Sequence, residues 1–377
     1  MGTAKSADTE YFYALTPDRV MDQVESVMRS DADWRATGRC FALNSFENRV
    51  YEVELEDHDG NRQTLVAKFY RPGRWNREQI DEEHQFLKDL VATDLPAIAA
   101  LGPVTDVDGI ACAVFPKVGG RAPEELNDDQ LIQVGRLLAR IHGVGKTRQA
   151  KHRIRLDPKT YGTDDLKYLL ESGRIPAELR SRYEDLCREM ISTFEPWFSV
   201  AGYQRIHGDC HLQNLLAQAQ VTQAAASPAT RHLNALKSPF VFLDFDDMVQ
   251  GPVVQDLWLL LPGRGRRRQF SDEFAGNLPE GTEADLLAIS PEMESLLEGY
   301  QEFADFPRSQ LRLIEPLRVL RMIHYSAWLS RRWEDPAFPR AFPQFESPRY
   351  WQDELQALEL EHQLISWLKV RDGGMAS

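Results

Sequence analysis

Near residue 117 the hydrophobic pattern of this chain changes period, and few folds accommodate both halves. Before it, short β-branched and aromatic runs over Phe41 to Asn44, Arg49 to Leu55, Thr64 to Tyr70, Val104 to Val107 and Ile110 to Phe115 read as strands. Asp59-Gly60 and Asp108-Gly109 are hairpin turn signals between them. Thr16-Pro17 is a helix N-cap followed by proline, ahead of Val20, Met21, Val24, Val27 and Met28 at helical spacing. Ile80, Phe86, Leu87 and Leu90 mark a second helix over 76–91. After Gly119-Gly120 helical periodicity takes over. Leu131, Val134, Leu137, Leu138 and Ile141 form one face, and further helices are expected at 163–171, 177–198, 253–261, 290–304, 308–332 and 350–369. Tyr203 to His207 and Phe240 to Phe245 interrupt them as short strands. The pattern predicts an α+β, bilobed chain: a β-rich N-terminal lobe over 1–117 and a helical C-terminal lobe over 118–377. Residues 218–238 and 263–285 lack periodicity and read as loop insertions, the second with a solvated basic run at Arg264, Arg266, Arg267 and Arg268.

Charge and cysteine usage narrow the partners. Lysine and arginine number 44 against 58 aspartates and glutamates, a formal charge of −14. Such a chain repels phosphate backbones, so nucleic acid is not an expected partner. No window holds the roughly 18 apolar residues of a membrane span, so no membrane association is expected on that ground. Met1-Gly2 and Ser6 formally fit a myristoylation pattern, a short and permissive string for which a flexible start is the plainer reading. Cys40, Cys112, Cys187 and Cys210 are scattered and form no Cys-x-x-Cys pair. That suits free thiols in a reducing cytoplasm better than disulfides or zinc.

The chemistry concentrates in three strings. In His207-Gly208-Asp209-Cys210-His211-Leu212-Gln213-Asn214, an aspartate precedes an asparagine by five positions, the spacing of a kinase catalytic loop. Asp209 would accept the proton of an attacking hydroxyl, and the Asn214 amide oxygen is a hard ligand suited to Mg²⁺. A capped turn with a buried histidine is the competing reading. In Val241-Phe242-Leu243-Asp244-Phe245-Asp246-Asp247 an apolar strand ends in a carboxylate. Asp244 is the expected metal ligand and second catalytic carboxylate; Asp246 and Asp247 are helpers in one reading and solvated turn carboxylates in the preferred one. In Val66-Ala67-Lys68 a lysine sits late in a strand, as does the lysine that grips ATP phosphates. A surface lysine on an edge strand would look similar. The following helix carries Glu82 and Glu83; we assign Glu83, which leads Glu-His-Gln-Phe-Leu, as the partner of Lys68. No Gly-x-Gly-x-x-Gly covers the phosphates. Its place holds Asn44 to Tyr51, where Ser45 and Asn48 can add side-chain hydrogen bonds.

Together these strings resemble the aminoglycoside phosphotransferase and choline kinase group, which shares the protein-kinase fold. The resemblance is closest to the bacterial stress-response serine/threonine protein kinases of that group. It is carried by Leu43 to Tyr51, Val66 to Trp75, Glu82 to Phe86, Val114 to Arg121, His207 to Asn214, Gly251 to Leu261 and Arg331 to Pro343. It implies a bilobed protein-kinase-like fold and Mg²⁺-dependent transfer of the ATP γ-phosphoryl to protein hydroxyls, autophosphorylation included. Asp209 would be the base, Asn214 and Asp244 the Mg²⁺ ligands, and Lys68 and Ser45 nucleotide contacts. The resemblance further implies that Asp256 braces the catalytic loop and that Val114, Phe115 and Val118 line an adenine pocket. The expected partners are ATP and protein substrates, for a cytoplasmic monomer. A kinase of a small hydroxylated molecule is the alternative, since nothing local to the catalytic loop separates the two. On the helix over 308–332, Arg318, Arg321, Tyr325, Trp328 and Arg332 read as core aromatics flanked by solvated arginines, with a substrate-facing wall as the second reading.

Overall fold

The computed structural model describes residues 12, 15–29, 33–218, 238–261 and 289–374. The expected insertion over 263–285, all of that over 218–238 except Gln218 and Ser238, and the Met1-Gly2 terminus lie outside the described residues. In chain order the elements are α1 (Pro17–Met28), β1 (Arg35–Leu43), β2 (Arg49–Glu56), β3 (Arg62–Phe69), α2 (Arg77–Val91), β4 (Thr105–Val107) and β5 (Ile110–Pro116). There follow α3 (Asp128–Lys146), α4 (Asp164–Ser172), α5 (Ala177–Phe198), β6 (Gln204–Ile206), β7 (Leu215–Ala217), β8 (Phe240–Phe242) and β9 (Val249–Gly251). The chain closes with α6 (Val254–Trp258), α7 (Pro291–Gln301), α8 (Ile314–Arg332), α9 (Ala337–Ala341) and α10 (Pro348–Gly374). The fold is the mixed α+β arrangement that the change of period predicts, strands first and helices after.

The chain divides into two compact units, Met1–Pro123 with Gln213–Asp246, and Glu124–Leu212 with Asp247–Ser377. Residues 213–246, grouped by periodicity with the helical part, belong instead to the first unit. The reason is pairing: Ala97 bridges Phe242 of β8, and Arg121 bridges Ala217 of β7.

The first unit is built on an antiparallel sheet of order β1-β2-β3-β5-β4. Asp108 and Gly109 both take positive φ in the β4–β5 turn, as a two-residue type I′ hairpin requires. One sheet face buries Val53, Leu55, Leu65, Ala67, Phe69, Cys112 and Val114 against Val20, Val24 and Met28 of α1. Thr16 caps α1 by accepting from the Arg19 N–H, and Pro17 begins it. On α2 the reciprocal hydrogen bonds of Asn76 and Gln79 form a capping box. The buried stripe of α2 includes Ile80, Glu83, His84, Phe86, Leu87 and Leu90. An acid and a histidine within an apolar stripe need partners, because burial of an unpaired charge is costly.

In the second unit α3 lies against α7, with backbone contact where Gly135 faces the Leu296 carbonyl and Gly299 the Ile132 carbonyl. The short antiparallel pair β6–β9 leads directly into the His207 to Asn214 string. The expected helix over 308–332 begins as a tighter turn, Arg308–Leu313, before α8 proper. All four cysteines are free, with Cys40 half-buried and the others buried. Among the described residues no helix is long and apolar enough to cross a membrane.

Candidate active site

The first unit holds a charged centre built around Lys68. Strand alternation sends Leu65, Ala67 and Phe69 into the core and Lys68 to the other face. Lys68 lies between Val50 of β2 and Ala113 of β5, on the central strand, so the edge-strand reading does not hold. Its side chain is only 10% exposed. The ammonium sits 3.0 Å from Asp244, 3.5 Å from Asp246 and 3.6 Å from Glu83. Burial disfavours the charged lysine, but the Asp244, Asp246 and Glu83 carboxylates outweigh it and hold its pKa well above the ordinary value. Glu83 is fixed in turn by the Tyr70 hydroxyl at 3.2 Å, and Tyr70 also meets His84 at 2.9 Å.

Asp244 follows β8 and takes a left-handed backbone, φ +52°. That conformation ends the strand, and aspartate tolerates it better than most residues. It leaves the carboxylate 54% exposed beside Lys68. The Leu243 N–H donates to the Asn214 carbonyl at 2.9 Å, which ties Asn214 to the residue preceding Asp244.

Asp246 departs from expectation. It is 1% exposed, not a solvated turn carboxylate. The Arg74 guanidinium pairs with it, and the Asn48 amide donates to it at 3.1 Å. Asn48 is therefore a buried brace instead of a ready phosphate contact, since its carbonyl oxygen also accepts from the Arg71 N–H at 3.0 Å. Arg71 in turn donates to the carbonyls of Glu47 at 2.9 Å and Phe46 at 3.1 Å, while the Asn48 N–H donates to Ser45 Oγ at 3.3 Å. The glycine-free turn is thus held by side chains. Ser45 stays half-buried at its start. In the adenine assignment Val114 is corrected: it faces the core with Cys112, whereas Phe115 packs on the opposite face with Tyr70 and Ala113.

This centre suits a divalent cation. Glu47, Glu83, Asp244 and Asp246 supply four carboxylates against the three cations Lys68, Arg71 and Arg74. The most exposed carboxylate, Asp244, is joined through the backbone to Asn214, and both are oxygen donors. Among the described residues no group of three or more histidines, cysteines or acids could hold a metal alone. A Mg²⁺ ion typically needs only one or two protein oxygens, completing its shell with substrate phosphates and water.

The second unit holds a separate centre around Asp209. Arg321 of α8 donates to Asp209 Oδ1 at 2.8 Å, and His211 Nε2 lies 3.2 Å from Oδ2. Burial alone would raise the carboxyl pKa, but the His211 hydrogen bond and the Arg321 charge overcome it and hold the group well below the usual carboxylate range. The loop is fixed from beneath by Asp256, which is fully buried. Asp256 accepts from the backbone N–H groups of His207 and Gly208, both at 2.8 Å, and meets His142 Nε2 at 2.9 Å. His142 Nδ1 lies 3.0 Å from the Tyr300 hydroxyl. Gly208 takes φ +86°, and a Cβ there would collide with the Asp247 carbonyl oxygen. A backbone pinned by a buried carboxylate and turned at a glycine delivers Asp209 in one orientation. Arg74 and His142 escape the sequence reading, and Asp246 and Arg321 are read there as solvated, since their partners lie more than a hundred residues away.

The family model for the phosphotransferase enzyme family, APH, matches residues 41–224. Stress response kinase A of Escherichia coli K12 is 35% identical over 346 residues, covering 90% of each chain. A serine/threonine protein kinase named RdoA from Salmonella typhimurium is 33% identical over 347 residues, again covering 90% of each. Among solved structures, amicoumacin kinase in complex with AMP-PNP, Ca²⁺ and Ami has a similar fold. Its TM-score is 0.56 at 18% identity, over 87% of this chain and 94% of that one.

Proposed function

Since this chain belongs to the APH phosphotransferase family and, within it, to the family of Stress response kinase A, we propose that it is a Mg²⁺-dependent serine/threonine protein kinase of a cytoplasmic stress response. That it is an ATP-dependent kinase follows from the family. The protein acceptor, the metal and self-phosphorylation are our reading. The observation that carries it is the Lys68 centre: a buried lysine on a central strand, shared among three carboxylates, has no packing reason to be there.

Lys68, oriented by Glu83, binds the ATP phosphates, and Ser45 contributes from the braced turn. Asn214 and Asp244 would hold Mg²⁺, which when bound neutralises phosphate charge. Asp209 orients the acceptor hydroxyl and takes its proton. A carboxylate held so firmly as an anion is a weak base before reaction, so its proton transfer comes late, as the acceptor oxygen bonds to phosphorus. Asp256 acts through the loop as a positioning residue.

The test is incubation with Mg²⁺ and labelled ATP, with and without generic protein substrates, followed by mass spectrometry. Phosphoserine or phosphothreonine should appear in the wild type and be absent from Asp209→Asn. Label found only on an added aminoglycoside, choline or homoserine, with no phosphorylated protein at any enzyme concentration, would replace this reading with the small-molecule one.

A further inference from the structure

One face of α8 extends away from Asp209 and is not built like a core face. After Arg321, His324 Nδ1 lies 2.7 Å from Asp165, and its ring stacks on Tyr161 with centroids 4.0 Å apart. Tyr325 stacks on Trp328 at 5.6 Å. Arg331 donates to the other Asp165 oxygen and lies 4.4 Å over the Tyr168 ring. Asp165 is buried, with one oxygen on each basic group, so both are held in fixed orientations. Yet the Arg321, His324 and Arg331 side chains remain 34%, 31% and 35% exposed, and Tyr325 is 39% exposed. The reading of this helix as core aromatics with solvated arginines is therefore corrected in both directions. Arg318 is the buried arginine, at 2% exposure, while the rings and the anchored cations reach the surface.

We propose that this face of α8 receives the phosphoacceptor, and that the acceptor is an acidic polypeptide segment. The inference rests on the reading of Asp209 as the phosphotransfer carboxylate. From Arg321 to Arg331 the helix rises about 15 Å, the reach of about four or five extended residues. Arg321 and Arg331 each direct a single guanidinium nitrogen to a carboxylate, and a guanidinium carries five N–H donors in a planar fork suited to carboxylates. Oriented arginines with half-exposed tyrosine and tryptophan are the residue types that dominate protein recognition, and their fixed rotamers lower the entropy lost on binding. The carboxylates of this face, Asp209 and Asp165, are already paired with Arg321 and with His324 and Arg331, so a polycationic small molecule would have to compete with those bonds. The net charge of −14 does not reverse the preference, since fields from distant carboxylates are screened within about 8 Å at physiological salt.

The test is direct binding to the full chain, read by fluorescence anisotropy without turnover. Two fluorescein-labelled serine peptides are compared, one flanked by glutamates and one by lysines. The glutamate peptide should bind at least tenfold more tightly, a preference that falls as salt is raised. Arg331→Gln should weaken it roughly fivefold, the scale of one partly exposed ion pair, with partial recovery in Arg331→Lys. Because Arg331→Gln leaves Asp165 with fewer partners, Tyr325→Ala provides a substitution at an exposed ring, and it should weaken the same peptide. Equal affinity for both peptides, tighter binding of the lysine peptide, or indifference to Tyr325→Ala in a folded variant would overturn the proposal. Absence of phosphate transfer to any acceptor would overturn the kinase reading and leave the peptide preference standing as a binding result.

Discussion

Asp256→Asn isolates the brace beneath the catalytic loop. The native carboxylate accepts three hydrogen bonds, from the N–H groups of His207 and Gly208 and from His142. An asparagine of the same shape has one acceptor oxygen. Its best orientation keeps the oxygen toward His207 and His142 and turns the amide nitrogen toward Gly208, so that two donors face each other. One hydrogen bond to a charged acceptor is lost, and a buried N–H is left without a partner, a cost of about 2–4 kcal/mol. For a unit of this size that lowers the melting temperature by roughly 4–16 °C. Asp209 follows Gly208 directly, and in the proposed role of Asp209 a displacement of about 1 Å costs on the order of 10² in rate. Calorimetry and kcat on one preparation test both effects. An unchanged melting temperature together with unchanged kcat would refute the claim that Asp256 holds this loop.

Gly208→Ala should fail more severely, because its φ of +86° and the Asp247 carbonyl leave no place for a Cβ; thermal unfolding and soluble yield report the loss. Asp246→Asn should cost about 3–5 kcal/mol, since it removes the charge facing buried Lys68 and the Arg74 side chain, itself 10% exposed, whereas a solvated turn residue would cost under about 0.5 kcal/mol. Arg321→Met should raise the pKa of Asp209 toward its ordinary value of about 3.9. In the wild type that pKa is depressed, so the ion pair contributes fully above the unfolded pKa and is lost only as pH falls through the lower folded value. The variant's acid limb in kcat/KM should therefore lie at higher pH than the wild type's, and coincident profiles would separate Arg321 from the ionisation of Asp209.

Much of this was legible because period is local. Strand alternation places Lys68 opposite Ala67, and helical spacing around Glu83 puts that acid in the stripe with Ile80, Phe86 and Leu87. The same alternation also groups Val114 with Cys112 and Ile110 on the core face, a signal that points away from an adenine pocket. What stayed illegible depends on partners distant in sequence. Asp246 looks like any turn carboxylate until Arg74, 172 residues earlier, meets it. Arg321 looks like a solvated helix arginine until the fold brings Asp209, 112 residues away, to it. The glycine-free turn hides its braces, Asn48 and Arg71, because they act through hydrogen bonds that no spacing rule encodes.

We propose that Asp209 serves phosphoryl transfer and not nucleotide binding or folding. Single-turnover transfer from labelled ATP, measured beside calorimetric Mg²⁺·ATP affinity for wild type and Asp209→Asn, tests it directly. Asp209→Asn should fold, keep near wild-type nucleotide affinity and transfer phosphate more slowly by about 10² to 10⁴. A folded Asp209→Asn that transfers phosphate at the wild-type rate would contradict it.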